Sequence, residues 1–113
     1  MRLGGSGSSP WEGYVEGLGS NGQWGGICDD NFDINDAHVI CRMLRFPLAT
    51  AALAYSTADD LYGTPPSNKF VLSNLNCTGS EDSIFDDCPH SIEWSEQCEK
   101  NEIAGVRCAK RML

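Results

Sequence analysis

Six cysteines in a chain of 113 residues constrain this protein more than any other feature. A core of this size buries only part of the surface that its unfolded chain exposes, and covalent staples are a common remedy. An even number of half-cystines in so short a chain reads as a disulfide framework in an oxidising compartment, although the count leaves the pairing open. The competing reading, a zinc site, asks for closely spaced cysteines and histidines. This sequence has no Cys-x-x-Cys pair, and its histidines are His38 and His90 alone. The chain is therefore expected to be extracellular, either secreted or the ectodomain of a membrane protein.

Asn76-Cys77-Thr78 is a glycosylation sequon, which makes Asn76 a candidate for modification. No apolar run reaches the length of a bilayer span, so no membrane insertion by this chain is expected. Met1-Arg2-Leu3-Gly4 is unlike a signal peptide, which fits a mature or excised domain. Residues 1–113 are read as one domain with a core of about 2–109 and a frayed tail from Lys110 to Leu113. Sixteen acidic against eight basic residues give a net charge of −8, which argues against nucleic acid as the primary partner. An anionic partner would have to be met by a local basic patch or a bound cation.

Gly4 to Pro10 reads as a turn-rich opening, and Trp11 to Leu18 mixes apolar and acidic residues like an outer strand. Asn21-Gly22, between apolar flanks, predicts a hairpin that pairs this strand with the one from Trp24 to Cys28. The period then changes: Ala37, Ile40, Cys41 and Leu44 fall on one helical face. Asp33 or Asn35 can cap that helix, Arg42 and Arg45 suit its negative end, and Pro47 stops it. Ala51 to Tyr55 reads as a strand and an apolar strand restarts at Phe70 and runs up to Cys77, with a polar connection from Ser56 to Asn68 between them. Glu81 to Asp87 suits a short helical turn, and Gly105 to Cys108 a closing strand.

Gly22-Gln23-Trp24-Gly25-Gly26-Ile27-Cys28-Asp29-Asp30 resembles the "GxWGxVCDD" signature of the scavenger receptor cysteine-rich family. Further matches follow in order. Ala37 to Leu44 resembles the family's "AxVVCRxLG" helix, Leu72 to Glu81 its "LDxVxCxGxE", and Ala104 to Cys108 its closing "AGVxC". Six cysteines place the chain with the family's group A type. The resemblance implies bridges Cys28–Cys98, Cys41–Cys108 and Cys77–Cys88. It also implies an α+β fold in which a curved antiparallel sheet cradles one main helix. The chain departs from the pattern at Phe32 (usually Trp), Gly26 (usually Thr), Arg45 (commonly Gly) and Ile103 (often Asp), and in the loop from Gly63 to Phe70.

Within this resemblance, Asp29, Asp30 and Glu102 match a known calcium site, which the Cys28–Cys98 bridge would assemble. Clustered carboxylates repel unless a hard cation neutralises them, and Ca²⁺, with Mg²⁺ as the alternative, suits oxygen ligands. The plainer reading has Asp30 capping a turn and the other two solvated. Asp59, Asp60 and Asn74 loosely match a second cation site. Trp94, with Trp11, could anchor a contact surface, and Arg42 and Arg45 could meet a polyanion. Trp24 and Phe32 are expected in the core, and Glu81 is expected to be a buried carboxylate that accepts backbone N–H bonds at a helix start.

No nucleophile elbow, His-Glu-x-x-His or phosphate loop is present, and the bridges would consume every thiol, so the chain is expected to be non-catalytic. The expected function is Ca²⁺-assisted recognition of anionic polymers, microbial or modified-self surfaces, or a partner protein outside the cell. The alternative is an auxiliary or substrate-positioning domain of a larger secreted protease or oxidase.

Overall fold

The computed structural model describes residues 1–19, 22–54, 57–63, 70–90, 98 and 100–109. Its strands are β1 (Arg2–Ser9), β2 (Glu12–Leu18), β3 (Trp24–Ile27), β4 (Ala49–Leu53), β5 (Phe70–Leu72) and β6 (Gly105–Cys108). Two helices, α1 (Ile34–Met43) and α2 (Thr57–Tyr62), and a 3₁₀ turn at Lys100–Glu102 complete the elements. The expected tail from Lys110 to Leu113 lies outside the described residues.

β2 organises the sheet. β1 pairs with it from Glu16 to Glu12, β6 with Glu12 to Tyr14, and β3 with Glu16 to Leu18. The outer-strand expectation for Trp11 to Leu18 is thus corrected. The acidic residues that suggested solvent exposure instead meet arginines on neighbouring strands: Glu16 lies 3.0 Å from Arg2 and Glu12 lies 3.6 Å from Arg107. The sheet is antiparallel as expected except where β5 joins β3 in parallel. It curls around α1 on one face and α2 on the other.

The turn-rich opening is a strand. Its glycines serve packing: a Cβ on Gly5 would lie 2.5 Å from the Tyr62 Cβ, so only glycine lets α2 seat on β1. The expected connection from Ser56 to Asn68 contains α2, because Ala58 and Tyr62, four apart, give it one buried face.

α1 carries the expected buried face of Ala37, Ile40 and Cys41, together with Val39 and Asp36. Asp33 caps it, accepting the Asp36 amide at 3.1 Å while the Asp36 carboxylate accepts the Asp33 amide at 2.9 Å. The other Asp36 oxygen accepts the Cys77 amide at 2.7 Å. A fully buried carboxylate thereby fastens the helix start to a distant loop. At the helix end, the Phe46 amide donates to the Cys41 carbonyl and the Arg45 amide to the Arg42 carbonyl, both at 2.9 Å. This is a Schellman motif, with Arg45 at φ 72° in its left-handed position.

That conformation costs a non-glycine residue roughly 1–2 kcal/mol. A glycine there gives back about 0.4–1 kcal/mol through its freer unfolded chain. Arg45→Gly is therefore expected to stabilise the domain by up to about 1 kcal/mol, read as a higher urea midpoint. A lowered midpoint would mean that the Arg45 side chain outweighs its strained backbone.

All three bridges are those the resemblance implied. Cys41–Cys108 ties α1 to β6 with Cα atoms 5.6 Å apart. Cys28–Cys98 links the end of β3 to the approach of the 3₁₀ turn, and Cys77–Cys88 closes a short loop.

Candidate functional site

Where β3 ends, its backbone pairs with the segment leading into β6. The Ala104 amide donates to the Ile27 carbonyl and the Asp29 amide to the Glu102 carbonyl, both at 2.7 Å. Cys28 bridges Ile103 between them. Residues 73 positions apart in sequence, Asp29 and Glu102, are thus held side by side, with the Cys28–Cys98 disulfide across the same junction. The chain then turns sharply, since the Phe32 amide returns to the Asp29 carbonyl at 3.1 Å and Asn31 has φ 61°. Asn31 donates through Nδ2 to Asn74 Oδ1 at 3.1 Å, which pins this turn to the loop after β5.

Carboxylate oxygens of Asp30 and Glu102 and the sulfurs of Cys28 and Cys98 all lie within 4.8 Å of one another. The sulfurs form a disulfide, so they offer no thiolate. What remains is a pair of oxygen donors at a rim, Asp30 exposed and Glu102 half-buried. Such hard oxygen ligands suit calcium rather than zinc or copper. Asp29, 7% exposed as a residue, falls outside this close group of carboxylates, whereas its backbone positions Glu102.

Two departures from the family pattern prove to be one packing unit. A Cβ on Gly26 would lie 2.9 Å from Ile103 Cδ1, so the bulky Ile103 side chain occupies the space that Gly26 leaves open. Ile103 is buried and belongs to the core under α2.

The remaining expected residues are dispersed. Asp59 and Asp60 sit on α2, and Asp59 Oδ1 is buried with no hydrogen-bond partner among the described residues. Asn74 lies on the loop after β5, its amide oxygen held by Asn31. The Arg42 guanidinium donates to the Glu81 carbonyl at 2.7 Å, and Arg45 is exposed at the helix end. Trp11 packs partly buried against the core, and Trp94 lies outside the described residues. Phe32 is in the core as expected, but Trp24 is not. It closes the β2–β3 ladder opposite exposed Leu18, and the Arg2 guanidinium stacks 4.0 Å from its ring centre.

Glu81 accepts the Thr78 and Gly79 amides at 2.7 and 2.9 Å, as expected, but it does so half-buried in a loop rather than buried at a helix start. These bonds, from Thr78 first, hold its carboxyl down at about 2. The sequence reading does not place Asn31, and although Asp36 suits the positive end of the helix dipole, its burial is not foreseen. The signal for Asn31 was available: Asn directly after two aspartates tolerates a left-handed turn.

Residues 5–109 match the family model described as scavenger receptor cysteine-rich domain. The chain is 46% identical over 107 residues to a scavenger receptor cysteine-rich domain superfamily protein of Patiria pectinifera, covering 95% of this chain and 9% of that protein. It is 38% identical over 113 residues to human lysyl oxidase homolog 3, covering 100% of this chain and 14% of that protein. The chain therefore spans only a small part of these curated relatives. Among solved structures, the dimeric form of the corresponding domain of mouse MARCO matches with a TM-score of 0.72 at 39% identity, covering 87% of this chain and 86% of that one.

Proposed function

The chain belongs to the scavenger receptor cysteine-rich family, and from that premise we propose that it is an extracellular, non-catalytic recognition module whose contact surface centres on the Asp30–Glu102 rim and is completed by Ca²⁺. The observation that carries this reading is the convergence of these two carboxylates, in the absence of any reactive thiol, at a solvent-open junction. A protein with net charge −8 repels an anionic ligand by its overall field. Bound calcium would supply local positive charge and vacant positions for a ligand carboxylate, sulfate or phosphate. The chain's own residues do the positioning: the Asp29 backbone sets Glu102, and the Asn31–Asn74 bond fixes the turn that presents Asp30.

Likeness to the macrophage receptor MARCO, 39% identical over 89 residues, supports a receptor role. Likeness to lysyl oxidase homolog 3 supports a second reading, an auxiliary domain of a larger secreted enzyme. The calcium site is proposed under either reading, so the same titration applies. Calorimetry should find one calcium ion with a dissociation constant of about 10⁻⁴ to 10⁻³ M, the range of extracellular modules, and weaker binding of Mg²⁺. Asp30→Ala should remove that heat without altering the far-ultraviolet spectrum. Binding of a sulfated polymer that is equal in calcium and in EDTA would sink the mechanism.

A further inference from the structure

We propose that Asn76 carries an N-linked glycan whose attachment competes with closure of the Cys77–Cys88 bridge, so that its occupancy is fixed by which event comes first during folding. The proposal rests on the extracellular reading only in requiring passage through a glycosylating, oxidising compartment.

In the folded domain, the acceptor side chains Asn76 and Thr78 are exposed, but the residue between them, Cys77, is buried and cross-linked to Cys88. Every backbone amide of the sequon is engaged. Asn76 donates to the Pro89 carbonyl at 2.9 Å, Cys77 to Asp36 at 2.7 Å and Thr78 to Glu81 at 2.7 Å. These acceptors come from three places: the segment just past Cys88, the start of α1, and the loop that the Arg42 guanidinium clasps. A glycosyl transferase must draw the three-residue acceptor into its own groove, with the Thr hydroxyl against the Asn amide. A sequon whose amides are all committed and whose central residue is bridged inward cannot comply. The same segment in the unbridged chain can.

The transfer balances as a substitution. The Asn76 Nδ2 forms a bond to the anomeric carbon of an oligosaccharide, the bond from that carbon to a polyprenyl diphosphate oxygen breaks, the diphosphate leaves, and the amide nitrogen gives up one proton. Once attached, the glycan projects from an exposed position and is compatible with the closed bridge.

The test is site occupancy in the full chain, secreted behind a heterologous signal peptide from glycosylating cells and read by peptide mass after amidase treatment. Wild type is expected to be partly occupied, and Thr78→Ala to be empty. Cys88→Ser keeps the sequon intact while removing the competitor, and it should raise occupancy at least about twofold, since bridge formation then no longer ends the acceptor's availability. Should that variant be retained or degraded, a reductant pulse during synthesis of the wild type delays the same bridge and should give the same rise. Full occupancy unmoved by either treatment would overturn the competition. An empty Asn76 under both would overturn the site itself. Neither failure alters the calcium titration, which reports on the opposite claim about Asp30 and Glu102.

Discussion

The double variant Cys41→Ala with Cys108→Ala is expected to lose about 4 kcal/mol of stability, because the bridge spans a long loop whose closure the unfolded chain must otherwise supply. The two half-cystines are separated by 67 residues and are 0% and 3% exposed. Their removal therefore also strips packing from the interface between α1 and β6. Against a typical total of about 5–15 kcal/mol for a folded domain, this leaves a chain that is largely unfolded when warmed. The matching pair Cys77→Ala with Cys88→Ala, which opens a separation of 11 residues, should cost about 3 kcal/mol by the same reasoning. Urea titrations followed by tryptophan fluorescence would order the two. A Cys41/Cys108 variant with an unchanged midpoint would show that the core alone specifies the fold.

Asp36→Ala should be nearly as damaging, at about 3 kcal/mol, because it leaves the buried Cys77 amide and the part-buried Asp33 amide without acceptors. The isosteric Asp36→Asn should recover only part of the loss, since its amide offers one acceptor oxygen to two donors. Burial pushes the Asp36 carboxyl up to about 6, against the opposing pull of the Cys77 and Asp33 amides. A carboxyl raised from its ordinary value near 3.8 is bound more tightly to its proton in the folded chain. Its stabilising contribution is complete below the ordinary value and disappears as pH rises through about 6. Glu81, held down at about 2, acts in the other direction: its contribution is present above its ordinary value of 4.5 and is lost as pH falls towards 2. Stability should therefore peak in mildly acidic solution and decline towards neutrality by on the order of 1–3 kcal/mol from Asp36. Denaturation midpoints from pH 4 to 8 test this. The decline should flatten in Asp36→Asn, and an equal decline in that variant would assign it to other groups.

How far the sequence could be read depended on whether the decisive partner was near in the chain. The β2–β3 hairpin and α1 were legible because their signals are local: an Asn-Gly turn between apolar flanks, a helical period and a cap. β1 and α2 were not, because Gly5 and Tyr62 explain each other only after the chain has brought them into contact. Trp24 was misplaced for a similar reason, since an aromatic on a strand near a cysteine reads as core until Arg2 is seen stacked upon it. At the candidate site, Asp30 and Glu102 could be joined in advance through the pairing that the resemblance implied for Cys28 and Cys98. The Asn31–Asn74 clasp could not, because it requires left-handed backbone at both of two loops 43 residues apart.

The convergence of β1 and β6 on β2 also bears on how the domain would carry mechanical tension. A pull applied between Arg2 and Cys108 is first resisted by the hydrogen-bonded ladders that join those two strands to the same central one. If the ladders give way, force from Arg2 meets Cys28 first and crosses its bridge to Cys98, with the Cys41–Cys108 bridge as a parallel route, so the chain between Cys41 and Cys98 is bypassed. At roughly 3.4 Å of extension per residue, most of the contour length then stays out of the load path. A module tethered in this way would lengthen only by its leading segment and the short stretch before Cys108, and would keep the Cys77–Cys88 loop and β5 slack until a bridge is reduced.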